Sequence, residues 1–211
     1  MGLRERKKQA TRTALSWAAI RLIVERGYDG VLVEDIAAEA GVSARTFNNY
    51  FSSKAEAVAS RHLDRCLQVA SALRERPAAE PLWEAISQAV MAPFGPPPEV
   101  AAHPPRDAEA WVAGLRLMLA VPAIQAETLR ASADAEAALA AAVAARTATD
   151  PESDLYPKLV AAIVMAATTA ATKHLLSAGC HLTEMKPQLV TALQQIAAGL
   201  PEPPGTSGHG D

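Results

Sequence analysis

The residues best suited to contact another molecule lie in one short segment between positions 44 and 51. Its two phenylalanines, Phe47 and Phe51, are four positions apart, and the side chains around them are Arg45, Thr46, Asn48, Asn49 and Tyr50. On a helix, residues four apart share a face, so the phenylalanines predict a buried side and the polar residues an outward one. Asparagine can pair bidentately with adenine and arginine with guanine, each pair contributing about 1–3 kcal/mol of discrimination. The segment therefore predicts a surface that reads base edges in the major groove of DNA.

The sequence around this segment predicts two short helices joined by a tight turn. Ile36, Ala37 and Ala40 share one face of the first helix. Gly41 supplies the left-handed backbone that ends a helix, and the Ser43 hydroxyl can accept a backbone N–H at the start of the next helix. This order is typical of a helix-turn-helix. The alternative is a helical hairpin inside an ordinary bundle, whose asparagines are only solvated.

Charge is divided unevenly along the chain. Residues 1–76 hold 13 lysines and arginines against 9 aspartates and glutamates, whereas the remainder holds 7 against 14. A basic end on an acidic body suits a protein that presents one end to a polyanion. Five of the cations fall within the first twelve residues, where they predict either a solvated terminus or an arm along the minor groove.

Residues 11–58 resemble the N-terminal DNA-binding domain of the tetracycline-repressor (TetR) family of bacterial transcriptional regulators. The resemblance is carried by Val-Glu-Asp-Ile-Ala-Ala-Glu-Ala-Gly-Val-Ser at 33–43 and by the pairs and triplets Gly27-Tyr28-Asp29, Thr46-Phe47, Tyr50-Phe51 and Ser53-Lys54. It implies an all-α fold of about nine helices, with an N-terminal helix-turn-helix domain and a C-terminal helical domain for ligand binding and dimerisation. The rest of the chain agrees with the family in length and helical character.

The resemblance also implies roles for individual residues of the second short helix. It places Thr46 and Tyr50 at phosphate contacts and Lys54 at the DNA backbone, and the positions that read the sequence are Ala44, Arg45, Asn48 and Asn49. Of these we expect Arg45 and Asn49 to contribute most. The candidate DNA-binding residues are Ser43, Ala44, Arg45, Thr46, Asn48, Asn49, Tyr50 and Lys54.

Two positions depart from the family pattern. Leu32 stands where a serine or threonine commonly caps the helix and touches phosphate, and loss of such a cap costs about 0.5–2 kcal/mol. Asn48 replaces a frequent aromatic residue. We therefore expect a looser helix start, or a different contact there, and an altered sequence preference.

Periodicity and the positions of proline and glycine predict the remaining organisation. Besides the helix-turn-helix, we expect helices at about 11–26, 54–76, 82–92, 107–119, 123–146, 150–177 and 183–198, with a proline-rich loop at 93–105. The expected units are a DNA-binding domain at 1–55, a helical regulatory and dimerisation domain at 56–200, and a disordered tail at 201–211.

The helix expected to end near residue 177 is apolar on nearly every side, which predicts burial all round. Ala166, Thr169, Ala170 and Lys173 would let another helix approach closely. With Leu189, Leu193 and Ile196, this favours a four-helix interface between two subunits, and the family implies the same homodimer. Such a dimer would place two recognition helices about 34–36 Å apart on a pseudo-palindromic site. The alternative is burial inside a monomer's own core.

A small-molecule site is implied by the resemblance and not by the sequence itself. The candidate lining residues are large apolar side chains, which also suit plain core positions: Trp83, Met91, Phe94, Trp111, Leu115, Met118 and Met165. Such a site has room for an apolar effector. We expect no cofactor and no metal.

The remaining features favour a cytoplasmic protein. Cys66 and Cys180 are predicted to be buried thiols in a reducing compartment. The apolar run 159–172 is shorter than the roughly 20 residues that span a bilayer. Motifs for metal, phosphate or nucleophilic catalysis are missing from the sequence, which argues against an enzyme.

The hypothesis from the sequence is a homodimeric, effector-responsive transcriptional regulator that acts as a repressor rather than an activator. The alternatives are an effector-independent architectural DNA-binding protein or a small helical enzyme.

Overall fold

The computed structural model describes residues 2–93, 107–178 and 185–201, which form helices and no strand. The predictions for Phe94, Cys180, most of the proline-rich loop and nearly all of the tail concern residues outside these ranges. The nine helices in the described part of the chain are α1 (Leu3–Arg26), α2 (Val33–Glu39), α3 (Ala44–Asn48), α4 (Lys54–Glu75), α5 (Leu82–Met91), α6 (Ala108–Leu119), α7 (Pro122–Thr147), α8 (Leu155–Ala178) and α9 (Met185–Ala197). The predicted all-α fold is confirmed.

Two helix starts differ from the prediction. Helix α1 begins at Leu3 and not near residue 11, because residues 3–10 contain no glycine or proline to interrupt it. The segment near residue 150, where α8 was expected to start, forms a turn instead. In this turn the Asp150 carboxylate accepts the Glu152 N–H at 2.8 Å, and α8 begins only at Leu155.

The buried side chains form two clusters. The N-terminal cluster joins α1, α2, α3 and the start of α4, and its largest fully buried members include Leu15, Ile36, Phe47 and Phe51. The C-terminal cluster joins the second half of α4 to α5, α7, α8 and α9, and its largest fully buried members include Leu73, Ile86, Leu175, Leu189 and Leu193.

Helix α4 belongs to both clusters. Its first turns contribute Ala55 and Val58 to the N-terminal cluster, and its later turns contribute Val69 and Leu73 to the C-terminal cluster. A displacement of α4 would therefore be felt in both halves of the chain.

The corner between α6 and α7 packs on the N-terminal cluster through Met118 and Ile124. At Gly114 the backbone of α6 comes so close to α1 that an added Cβ would lie 2.6 Å from the carbonyl oxygen of Val24. This close approach requires glycine, so α6 is held against the helices that carry the helix-turn-helix.

Arg146 connects α7 to the turn between α4 and α5. Its guanidinium donates to the carbonyl oxygens of Arg76, Pro77 and Glu80 at 3.0, 2.9 and 2.9 Å. Arg76 and Glu80 also pair within the turn, with a hydrogen bond of 2.7 Å. The end of α4 is thus fixed by a side chain that comes from the body of the C-terminal cluster.

Candidate nucleic-acid interface

The turn between α2 and α3 has the predicted geometry. Gly41 has a φ of 70°, its N–H donates to the Ala38 carbonyl at 3.0 Å, and the Val42 N–H donates to the Ala37 carbonyl at 2.9 Å. These two bonds form a Schellman motif, which needs a left-handed residue at this position. The Ser43 hydroxyl accepts the Thr46 N–H at 3.1 Å and so caps α3. The predicted stop and start signals are both confirmed.

The two phenylalanines determine which side of α3 faces outward. Phe47 and Phe51 are buried, and their ring centroids lie 5.7 Å apart. Helix α3 itself is short, because it ends at Asn48 and Asn49 is its C-cap. The backbone nevertheless continues to the second phenylalanine with an N–H from Phe51 to the Phe47 carbonyl at 3.0 Å.

Three of the candidate contact residues form one exposed surface. Arg45, Asn48 and Asn49 are all exposed, and their i, i+3, i+4 spacing places them on one face. Thr46 is half-buried, and its hydroxyl lies 2.9 Å from that of Ser43. Ser43 is exposed and Ala44 is half-buried. Tyr50 is half-buried and packs against the N-terminal cluster, so it is less outward than predicted.

Lys54 has partners within the chain that the sequence did not reveal. Its ammonium donates to the carbonyl oxygens of Tyr28 and Val31 at 2.6 and 2.8 Å and lies 4.1 Å from the centroid of the Tyr28 ring. Two of its three N–H groups therefore hold the turn between α1 and α2. Lys54 therefore links the helix-turn-helix to the turn that follows α1.

The start of α2 uses a contact other than the family's usual cap. Leu32 is 62% exposed and offers no side-chain acceptor, but its N–H donates to the Asp35 carboxylate at 2.9 Å. In a capping box the side chain at the third helical position accepts the N–H of the N-cap residue, and Asp35 supplies this half of the box. The acid three residues after Leu32 was the signal in the sequence that could have predicted it.

The basic N-terminal residues form the first turns of α1 and not an extended arm. The Arg12 guanidinium pairs with the Asp64 carboxylate at 2.9 Å, and the Ser16 and Ser60 hydroxyls are 2.7 Å apart. Helix α1 therefore runs antiparallel to α4, and its start lies beside the later turns of α4. Asp64 is ten residues beyond Lys54, about 15 Å along the helix.

The seven candidate ligand residues are not brought together. Trp83, Met91 and Met165 pack against the C-terminal cluster. Trp111, Leu115 and Met118 pack instead against the N-terminal cluster, because α6 lies on α1. Phe94 lies outside the described residues.

A small cavity of about 20 Å³ lies within the C-terminal half. Of the seven candidates, Met165 is among the described residues that line it. Val69 of α4, Val90 of α5, Leu139 of α7 and Val164 of α8 contribute apolar walls, and Arg65 and Cys66 of α4 complete one side. Burial raises the pKa of the Cys66 thiol to about 11, so the thiol stays protonated at neutral pH.

These features define a helix-turn-helix protein with a helical C-terminal domain, and comparison with known families agrees. Residues 17–59 match the family of bacterial regulatory proteins of the tetR type, and residues 80–201 match the MftR C-terminal domain. The HTH-type transcriptional regulator TcmR of Streptomyces glaucescens is 32% identical over 165 residues, which cover 78% of this chain and 73% of TcmR. The chain belongs to the TetR family of transcriptional regulators.

Solved structures support the fold. A protein described as a TetR-family transcriptional regulator from Mesorhizobium loti matches 90% of this chain and 96% of its own with a TM-score of 0.54 and 18% identity. A similarly described protein from Rhodococcus sp. matches 87% of this chain and 96% of its own with a TM-score of 0.53 and 20% identity.

Proposed function

We propose that this TetR-family regulator is a cytoplasmic homodimeric repressor that binds a pseudo-palindromic operator and is released by a small apolar effector. The observation that carries the proposal is the exposed face formed by Arg45, Asn48 and Asn49 on a helix whose orientation two buried phenylalanines determine. Arginine and asparagine are the side chains that pair bidentately with guanine and adenine. Thr46 and Tyr50 flank this face as phosphate contacts.

Helix α8 supports the dimer. Within one chain it is not buried on all sides as predicted: Leu155 is 73% exposed, Leu159 is 49% exposed, and Ala166 and Ala170 are also exposed. Spacings of three and four residues place one stripe along this helix, made of Tyr156, Leu159, Ile163, Ala166, Ala170 and Lys173. Leu189 and Leu193 of α9 are buried in the chain's own core, so they do not belong to this surface. A second copy packed along the stripe would cover it.

Helix α8 is long and apolar enough to cross a membrane by length and composition alone, whereas the run 159–172 was predicted to be too short. The segment concerned is Leu155–Ser177, and 39% of its apolar stretch is buried in the chain. Helices α6 and α7 reach such a length and composition only when they are counted together as one bent segment. Core helices of water-soluble proteins have the same length and composition, and the packing of α8 against α7 and α9 favours that interpretation.

The small size of the cavity supports effector control. At about 20 Å³ it holds about one water molecule, so a larger ligand must separate α4, α5, α7 and α8 to enter. A ligand that binds only the opened arrangement shifts the chain towards it. Because α4 also belongs to the N-terminal cluster, that opening would alter the spacing of the two recognition helices.

Two measurements test the proposal. Footprinting on the DNA upstream of the protein's own gene, across a salt series, is expected to give one protected pseudo-palindromic site. Equal affinity for any duplex would instead favour the effector-independent architectural alternative.

The second measurement tests the dimer. The molar mass from light scattering is expected to be that of a dimer and to fall to that of a monomer in Leu159→Glu. Leu129→Glu is the matched control, because Leu129 is 76% exposed on α7 and is not part of the stripe. A Leu159→Glu variant that remains dimeric would contradict the assigned interface.

A further inference from the structure

The stripe along α8 has a symmetric spacing. Its six residues follow one another at intervals of three, four, three, four and three positions: Tyr156, Leu159, Ile163, Ala166, Ala170 and Lys173. These intervals read the same from either end, so the midpoint of the stripe lies between positions 164 and 165. Two copies of the stripe that run in opposite directions about a two-fold axis would therefore place each residue opposite another residue of the same stripe.

The side chains change in size at that midpoint. The first half of the stripe carries a tyrosine, a leucine and an isoleucine, and the second half carries two alanines and a lysine. In the antiparallel arrangement Leu159 of one copy would lie against Ala170 of the other, and Ile163 against Ala166. Leu159 and both alanines are exposed within one chain. A large side chain would thus meet a small one at each of these contacts, which lets two helices interdigitate closely.

The two ends of the stripe are complementary in charge. The remaining pair joins Tyr156 of one copy to Lys173 of the other, and it occurs twice in a symmetric dimer. Both side chains are exposed within one chain. The face of an aromatic ring carries a partial negative charge that attracts an ammonium group. The antiparallel arrangement therefore brings each lysine to a ring that can receive it.

A parallel arrangement of the same stripe is unfavourable. Each residue would then face its own copy, so Lys173 of one chain would meet Lys173 of the other. Two ammonium groups in contact repel each other. Two copies of Leu159 would hold the helices apart, while two copies of Ala170 would leave a gap in which dispersion contacts are lost.

We propose that a second copy of this chain packs along α8 in the antiparallel register, so that the Tyr156 ring of each copy receives the Lys173 ammonium of the other. This inference rests on the proposed homodimer and specifies how its two copies meet. The stripe spans about 26 Å of helix, so a crossing angle near about 20° keeps its whole length in contact. Helices α8 and α4 of one chain share a core, so the register also fixes how the two DNA-binding surfaces are placed.

Disulfide formation between introduced cysteines tests this register on the full-length protein. Leu159→Cys combined with Ala170→Cys is expected to give a covalent dimer under mild oxidation, because a disulfide needs Cα atoms within about 7 Å. Leu159→Cys combined with Ala166→Cys is the matched control. It is expected to stay uncrosslinked, since its cysteines would be displaced by about 6 Å along the helix. The wild type, oxidised in the same way, reports any crosslink through its two native cysteines.

Single variants distinguish the two directions of packing. In the antiparallel register the two copies of position 159 lie about 16 Å apart along the helix, so Leu159→Cys alone is expected to stay uncrosslinked, as is Ala170→Cys. Covalent dimers of both single variants would indicate parallel packing and overturn the inference, as would equal crosslinking of the two double variants. A dimeric wild type with either result refutes only the register. A monomeric wild type refutes the proposed dimer itself.

Exchange of side chains tests the contacts without a disulfide. Leu159→Ala and Ala170→Leu are each expected to raise the dissociation constant of the dimer about tenfold or more, because one leaves a gap and the other brings two leucines together. The double variant restores one large and one small residue at each contact, so its dissociation constant is expected to return to within about threefold of the wild type. A double variant as weak as the product of the single effects would overturn the pairing.

A double-mutant cycle tests the ends of the stripe. Lys173→Gln is expected to raise the dissociation constant of the dimer about 5- to 30-fold in the wild type, where two ring contacts are lost. The same change is expected to have little effect in Tyr156→Leu, which lacks the ring. An equal effect of Lys173→Gln in both backgrounds would overturn the contact between the lysine and the ring.

Discussion

Replacing Lys54 with alanine tests whether this side chain holds the turn between α1 and α2. The change removes two hydrogen bonds, to the carbonyls of Tyr28 and Val31, and the contact of the ammonium with the Tyr28 ring. A hydrogen bond from a charged donor contributes about 1.5–3 kcal/mol, and a cation–π contact at an accessible site about 0.5–1 kcal/mol. Because Lys54 is half-buried, water can enter the space that its side chain leaves, so we expect the free energy of unfolding to fall by about 2–3 kcal/mol, less than the sum of these contributions.

Thermal unfolding followed by circular dichroism measures the loss. For a chain of this size each kcal/mol lowers Tm by about 2–4 °C, so Lys54→Ala is expected to lower it by about 4–12 °C. Tyr28→Leu keeps both carbonyls and isolates the ring contact, so its effect should be smaller. Arg45→Ala is the control, because it removes an exposed cation from the neighbouring helix and is expected to leave Tm unchanged.

The salt dependence of operator binding distinguishes this role from a contact with phosphate. A residue that only neutralises one phosphate would flatten the plot of log affinity against log salt by about one unit without changing Tm. That combination in Lys54→Ala would refute the structural role. A lowered Tm with an unchanged slope would confirm that Lys54 serves the turn.

Four further predictions concern separate parts of the chain. Arg45→Ala is expected to relax sequence preference at one operator position by about 1–3 kcal/mol, which the affinities for single-base variants of the operator measure. An equal loss of affinity for all duplexes would contradict base reading by Arg45. Gly114→Ala is expected to cost about 1–3 kcal/mol because its Cβ would meet the Val24 carbonyl, and unchanged denaturant unfolding would show that α1 and α6 separate freely. Arg146→Ala is expected to destabilise the C-terminal half by about 1–3 kcal/mol, since three carbonyls lose their donor; unaltered chemical denaturation would exclude that. Burial raises the pKa of Cys66 to about 11, so alkylation of this thiol at pH 8 should be far slower in the folded than in the unfolded protein. The alkylation rate of the folded protein should rise as the pH approaches 11. Equal rates for the folded and unfolded protein at pH 8 would contradict this burial.

The sequence by itself determined the helix-turn-helix, because the interactions that form it are local. The stop at Gly41, the cap at Ser43 and the buried pair Phe47 and Phe51 all depend on residues within five positions of one another. Propensity, capping and periodicity describe such interactions well. Even the substitute cap of α2 was encoded locally, in the acid at position 35.

Only the tertiary structure decided what long side chains and apolar faces contact. Lys54 reaches carbonyls 26 and 23 positions away, and no spacing rule relates those residues. Trp111 and Met165 looked alike as large apolar side chains on helices, but α6 packs on α1 while α8 packs mainly on α7 and α9, so they lie in different clusters. In the same way, periodicity indicated that α8 is apolar on nearly every side, but only the packing of the chain showed which of its faces stays exposed.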